Sequence, residues 1–170
     1  MLSLSDNEFS VINFLVRNYT EKLTIRNIAQ KLKFSPAGVF NILKKLEKNG
    51  IMTGQKLGTG LFYSINFESS IARHLCAVVL VYPSEKTNVD LQMFKDAKCA
   101  ILSKKSLLIV QNIAAHETSI QNYDILAKTE DEIIELLRKR DEKILEFLRH
   151  GTVMFGEDKA IEMIRKATSW

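Results

Sequence analysis

The chain has 170 residues, 46% hydrophobic and 26% charged, with a net charge of +4. That supplies a core for one domain or two small ones, and no run approaches the roughly 18 consecutive apolar residues of a membrane span. The only cysteines, Cys76 and Cys99, sit in apolar surroundings (HLCAVV and AKCAIL), which predicts buried, reduced thiols rather than a disulfide or metal framework.

At the start of the chain Asp6 and Glu8 stand where a signal peptide would carry positive charge, so a cytoplasmic protein with no membrane partner is expected. Ser5 is a candidate N-cap with Glu8 closing a capping box, and Phe9, Ile12, Leu15, Val16 and Tyr19 recur at helical spacing, predicting a helix from about Asp6 to Tyr19. Thr24 then caps IRNIAQKLK, whose apolar positions are Ile25, Ile28, Ala29 and Leu32. Ser35 caps a third helix with Pro36 at its first position. Val39, Ile42, Leu43 and Leu46 form its apolar stripe, and Gly50 stops it. From Ile51 to Phe67 the period changes to that of two strands around a turn at Gly58 to Gly60.

Residues 1–70 hold nine lysines and arginines against five acids, whereas residues 71–170 hold fifteen of each. All of the excess positive charge therefore lies in the first part, where an anionic partner is expected to bind. IARHLCAVVLVY, Ile71 to about Tyr82, is too apolar for a solvated linker and predicts a helix between two halves. The polar PSEKTN, Pro83 to Asn88, marks the boundary.

Beyond it Leu91 to Lys98 reads as helix. AKCAIL and SLLIVQNI read as buried strands joined at Ser103-Lys104-Lys105, and Tyr123 to Ala127 as a further strand. Thr129 caps what reads as the longest helix, TEDEIIELLRKRDEKILEFLRHG. A short strand, TVMF, and a last helix, EDKAIEMIRKA, follow. The fold class expected is α+β, in three parts: 1–69, a linking helix and boundary at 70–88, and a small α/β unit at 89–170.

Two short helices joined by a tight turn present the second of them to a DNA major groove when its outward face is free of core duty. With Val39, Ile42, Leu43 and Leu46 inward, the outward residues of the third helix are Ala37, Gly38, Asn41, Lys44, Lys45 and Lys48. Asn41 has the chemistry to pair bidentately with adenine, Ser35 and Lys45 to bind phosphate, and Lys44 to do either. Lys56 and Thr59 at the hairpin tip suit the adjacent backbone. The competing readings are a plain packing unit with solvated lysines and a protein-binding module.

The segment FSPAGVFNILKKLEKNGIMTGQKLGTGLFYSINFE resembles the winged helix-turn-helix of prokaryotic, many of them archaeal, transcriptional regulators; with the two preceding helices the resemblance covers residues 5–68. It implies a duplex DNA partner, contacted by Thr24, Ser35, Ala37, Gly38, Asn41, Lys44, Lys45, Lys56 and Thr59. A homodimer is expected, because paired half-sites multiply the few bases one short helix reads.

The end of the chain, from Thr129 through EDKAIEMIRKA, is similar to the C-terminal end of small nucleotidyltransferase-type domains. Those enzymes carry a glycine-serine turn followed by an aspartate pair that holds metal and nucleotide. KCAILSKKSLLIVQN, where these belong, has neither; the nearest acids are Asp96 and Glu117. The expectation is therefore a degenerate domain without enzyme activity, metal or cofactor, which can still bind a protein or small ligand. A transferase with displaced acids is the alternative. His74, His116 and His150 share no metal-ligand spacing, Gly58-Thr59-Gly60 is too short for a phosphate loop, and the acids at 130–135 are those of a helix N-terminus.

Overall fold

The computed structural model describes residues 3–81, 94, 96–113, 118–120 and 123–168. It is an α+β protein whose helices and two sheets fall into two compact units, 1–79 and 80–170.

The first unit begins with α1, Asp6–Arg17, closed by the expected Ser5–Glu8 capping box. It stops two residues short of Tyr19, because the Asn18 side chain donates to the Phe14 carbonyl (2.8 Å) and takes the C-cap position. Thr24 and Asn27 form a second box at the head of α2, Ile25–Leu32, and Lys33 ends that helix in the left-handed conformation (φ 57°). Ser35 caps α3, Pro36–Lys48, its hydroxyl accepting from the Gly38 N–H (3.1 Å), with Pro36 in the first turn as expected. Three capped helices within fifty residues leave little freedom in the two turns between them.

α3 packs on α1 and α2 through Val39, Leu43 and Leu46, all fully buried, while Ile42 is only half-buried. β1, Met52–Leu57, and β2, Gly60–Ile65, then pair antiparallel around the two-residue loop Gly58-Thr59. Met52, Tyr63 and Ile65 turn into the core, and Phe62 bridges back to Thr24 ahead of α2. α4, Ser70–Val81, is tied to the end of the hairpin by Arg73, whose guanidinium donates to the Phe67 and Glu68 carbonyls (2.8 and 3.0 Å). The division between the units, at Val79 and Leu80, falls inside this helix. The boundary expected at Pro83 to Asn88 lies outside the described residues, as do residues 91–93 and 95 of the helix expected over Leu91 to Lys98. That helix does not reach its expected end, because the Ala97 N–H closes a turn on the Phe94 carbonyl (2.9 Å) and the Lys98 N–H donates to the Val110 carbonyl (2.7 Å) at the edge of a strand.

The second unit is built on β3, Cys99–Ser103, β4, Ser106–Val110, β5, Thr118–Ile120, β6, Tyr123–Lys128, and β7, Thr152–Phe155, in the order β5-β6-β4-β3-β7. All pairs are antiparallel except β4 with β6. The central strands are buried on both faces, which is why Cys99 to Leu102 and Leu107 to Val110 read as unbroken apolar runs. β5 was not expected from the sequence: three residues are too few to display a period of two.

The long helix expected after Thr129 is two helices, α5, Glu130–Arg138, and α6, Glu142–His150. Arg140 adopts a left-handed φ of 57°, and the Asp141 carboxylate accepts from the Ile144 N–H (3.1 Å) as the cap of α6. The signal was present in RKRDE, where basic residues close one helix and Asp141 and Glu142 open the next. α7, Glu157–Thr168, packs on α5, and its Lys166 pairs with Glu130 (2.8 Å). Asp141→Ala is expected to lower the unfolding free energy by about 1 kcal/mol in urea titration, with Asp141→Asn retaining most of it. Equal stability of all three proteins would mean that the break is fixed by something other than the cap.

Candidate functional site

The first unit gathers the residues that the sequence singled out. At 3.6 residues per turn, burial of Val39, Leu43 and Leu46 turns the opposite line of α3, Ala37, Asn41, Lys44 and Lys48, to the surface, and all four are exposed. Lys56 and Thr59 are exposed on the hairpin. Gly38 is half-buried, and so is Thr24, whose hydroxyl and N–H are both engaged with Asn27. The Ser35 hydroxyl is exposed but already serves as a cap.

The lysines of α3 have different surroundings. Lys45 faces α1: its ammonium pairs with Glu8 (2.7 Å) and donates to the Ser3 carbonyl (3.3 Å). The Glu8 side chain is 4% exposed and also accepts from the Ser5 N–H and hydroxyl (2.7 and 3.1 Å). Burial works against the charge on this carboxylate, but the bonds from Lys45 and Ser5 outweigh it and hold the pKa below its ordinary 4.5. Drawing Lys45 away to a phosphate would strand a buried carboxylate, so this lysine belongs to the framework.

Lys44 faces the hairpin and pairs with Glu47 (2.8 Å), whose side chain is 31% exposed. That hydrogen bond, with the nearby Tyr63 hydroxyl, raises the Lys44 pKa, and the same bond lowers that of Glu47. Both partners are open to water and salt, so Lys44 can exchange Glu47 for another anion at little cost. The second oxygen of Glu47 accepts from the Gly54 N–H (3.1 Å), which joins the last turn of α3 to β1. A Cβ at Gly54 would lie 2.7 Å from that oxygen and 3.1 Å from the Tyr63 ring, so a side chain there would push the Glu47 carboxylate aside. Arg26, Lys31, Lys33, Lys48 and Lys56 are exposed and enter no ion pair with another described residue.

Three residues that the sequence did not assign to the site therefore shape it: Glu8, expected only as part of the α1 capping box, Glu47 and Phe40. Phe40 is 40% exposed on the hairpin side of the outward line. Its signal was its place in the helix, three residues after Ala37 and four before Lys44, outside the stripe of Val39, Leu43 and Leu46.

In the second unit the segment KCAILSKKSLLIVQN, which lacks the glycine-serine turn and the aspartate pair, is a tight hairpin. β3 and β4 are joined by Lys104 and Lys105 alone, with Lys104 left-handed (φ 56°). Asp124 stands opposite Ser106 across the parallel β4–β6 pair. Among the described residues no group of three or more His, Cys, Asp or Glu is placed to hold a metal ion. Cys76 and Cys99 are free and buried, as expected, and burial pushes both thiols up to about 12. The His74 ring bonds the Ser70 carbonyl (2.7 Å), and His150 lies beside Glu146 (3.8 Å). Compared with known proteins, the chain matches no family model and no curated sequence.

The Glu8–Lys45 pair carries a pH signature. A carboxylate whose folded pKa is depressed contributes stability above its unfolded value and loses it as the pH falls through the folded one. Glu8→Gln should therefore cost stability at pH 7, and its difference from the parent should narrow as the pH drops below 4.5, read by urea unfolding at each pH. A difference independent of pH would show that the pair adds nothing through its charge.

Proposed function

We propose that the chain is a sequence-specific, double-stranded DNA-binding transcriptional regulator whose first unit is a winged helix-turn-helix, with α3 in the major groove and the Lys56–Thr59 end of the hairpin on the adjacent backbone. The observation that carries this reading is the outward line of α3, Ala37, Asn41, Lys44 and Lys48, which the core leaves exposed beside an exposed hairpin tip. A helix about 10–12 Å across fits a groove about 12 Å wide. The bridge from Phe62 to Thr24 supports the same reading, because it fastens the hairpin to the entrance of α2 and so to the helix pair.

Within this proposal Asn41 reads a base, while Lys48 and Lys56, with Lys44 once released from Glu47, bind phosphates. Lys45 is reassigned from phosphate contact to the positioning of α3 on α1. The regulator is read as a homodimer on a two-fold symmetric site. The second unit is read as a non-catalytic relative of nucleotidyltransferase-type domains that receives a protein or small-ligand signal. The two-residue β3–β4 loop supports this, since it leaves no length for a phosphate-holding turn.

Binding of the full chain to a duplex pool should weaken steeply with salt, and Lys48→Ala or Lys56→Ala should each reduce the log–log salt slope by about one. Asn41→Ala should leave that slope unchanged and relax sequence preference by about 1–3 kcal/mol. Absence of duplex binding at low salt would overturn the proposal in favour of a protein-binding module.

A further inference from the structure

The first two turns of α3 offer an unusual set of side chains for a surface. Phe40 is exposed although it is the largest apolar residue of the helix, and the small Ala37 lies one turn before it on the same side. Asn41 completes the patch. Of the seven asparagines in the first unit, Asn13, Asn18, Asn27, Asn49 and Asn66 each hydrogen-bond within the protein. Asn41 makes no side-chain bond to another described residue, and neither does Asn7 in the first turn of α1.

Asparagine is a poor residue for a helix interior, because its amide competes for backbone groups, and one that neither caps nor bonds gives the helix nothing. α3 thus carries in its middle a polar group with all of its donors and acceptors available, next to an exposed ring. Each member of the patch has a counterpart on an A·T pair. An asparagine amide matches adenine N6 and N7, and alanine or phenylalanine packs on the thymine 5-methyl. Guanine is read chiefly by arginine or lysine. α3 has no arginine, and Lys44, the lysine closest to the patch, is assigned to a phosphate in the proposed complex.

We propose that Phe40 and Ala37 contact thymine 5-methyl groups while Asn41 pairs with the neighbouring adenine, so that α3 addresses a run of A·T pairs through the major groove. This rests on the DNA-binding reading and adds the bases. The thymine methyl is the discriminating group: it lies in the major groove, takes no part in base pairing, and is absent from deoxyuridine. Burying one methyl against an aromatic ring is worth about a fourfold change in affinity.

The test uses the full chain and duplexes selected by it from a random pool, remade with deoxyuridine in place of thymine and compared by fluorescence anisotropy. Selected duplexes should share A·T pairs, and replacing a contacted thymine should weaken binding by about fourfold. Phe40→Ala should bind the thymine duplex more weakly and narrow the difference between thymine and uracil, Ala37 retaining its own share. Equal affinity of the parent protein for both duplexes, or selected sites built of G·C pairs, would overturn the inference while leaving DNA binding intact. Failure to select any duplex would overturn both.

Discussion

Everything presented by the first unit depends on the rotation of α3 about its own axis, and that rotation is set by the burial of Val39, Leu43 and Leu46. Each is fully withdrawn from water, and each such burial is worth roughly 1.5–3 kcal/mol. Turning the helix by one residue would bring polar groups such as Asn41 or Lys44 toward the core and carry leucine outward, reversing both terms. Peripheral ion pairs are too weak to compete with that. The caps at Thr24 and Ser35 and the Phe62–Thr24 bridge then fix where the helix begins and how the hairpin sits beside it.

On that scaffold two carboxylates divide the lysines. Glu8 is buried and holds Lys45 against α1, so the pair acts as part of the core boundary. Glu47 is open to solvent and holds Lys44 loosely while bonding the β1 backbone. The same residue type on adjacent positions of one helix thus has two physical states, one locked and one exchangeable. The proposed duplex contacts follow from this difference in desolvation, since a phosphate competes easily with an exposed carboxylate and poorly with a buried one.

What the sequence disclosed and what it hid have the same origin. Ser5, Thr24 and Ser35 were legible because a cap is a local event, complete within four residues, and the hairpin because its period changes at Ile51. The partner of Lys45 was not legible: Glu8 lies far back along the chain, and only the packing of α1 on α3 brings the two together. Phe40 was passed over because an aromatic residue next to an apolar stripe is assigned to the core unless the helix geometry is known. The break at Arg140 was hidden by apolar residues that resume the same face after Asp141, although the reversal of charge in RKRDE marked it. In the second unit the strands were readable from their apolar runs, whereas their order and the parallel pairing of β4 with β6 are long-range properties that no local pattern records.

The central claim is that the core of the first unit turns one face of α3 and the hairpin tip toward a duplex. Titration of the isotopically labelled full chain with the duplex it selects, followed through backbone amide chemical shifts, tests it most directly. The largest changes are expected at Ala37, Phe40, Asn41, Lys48, Lys56 and Thr59, with Val11 to Val16 and the sheet strands of residues 99–110 little affected. Changes confined to the second unit, or none at all on addition of duplex, would contradict it.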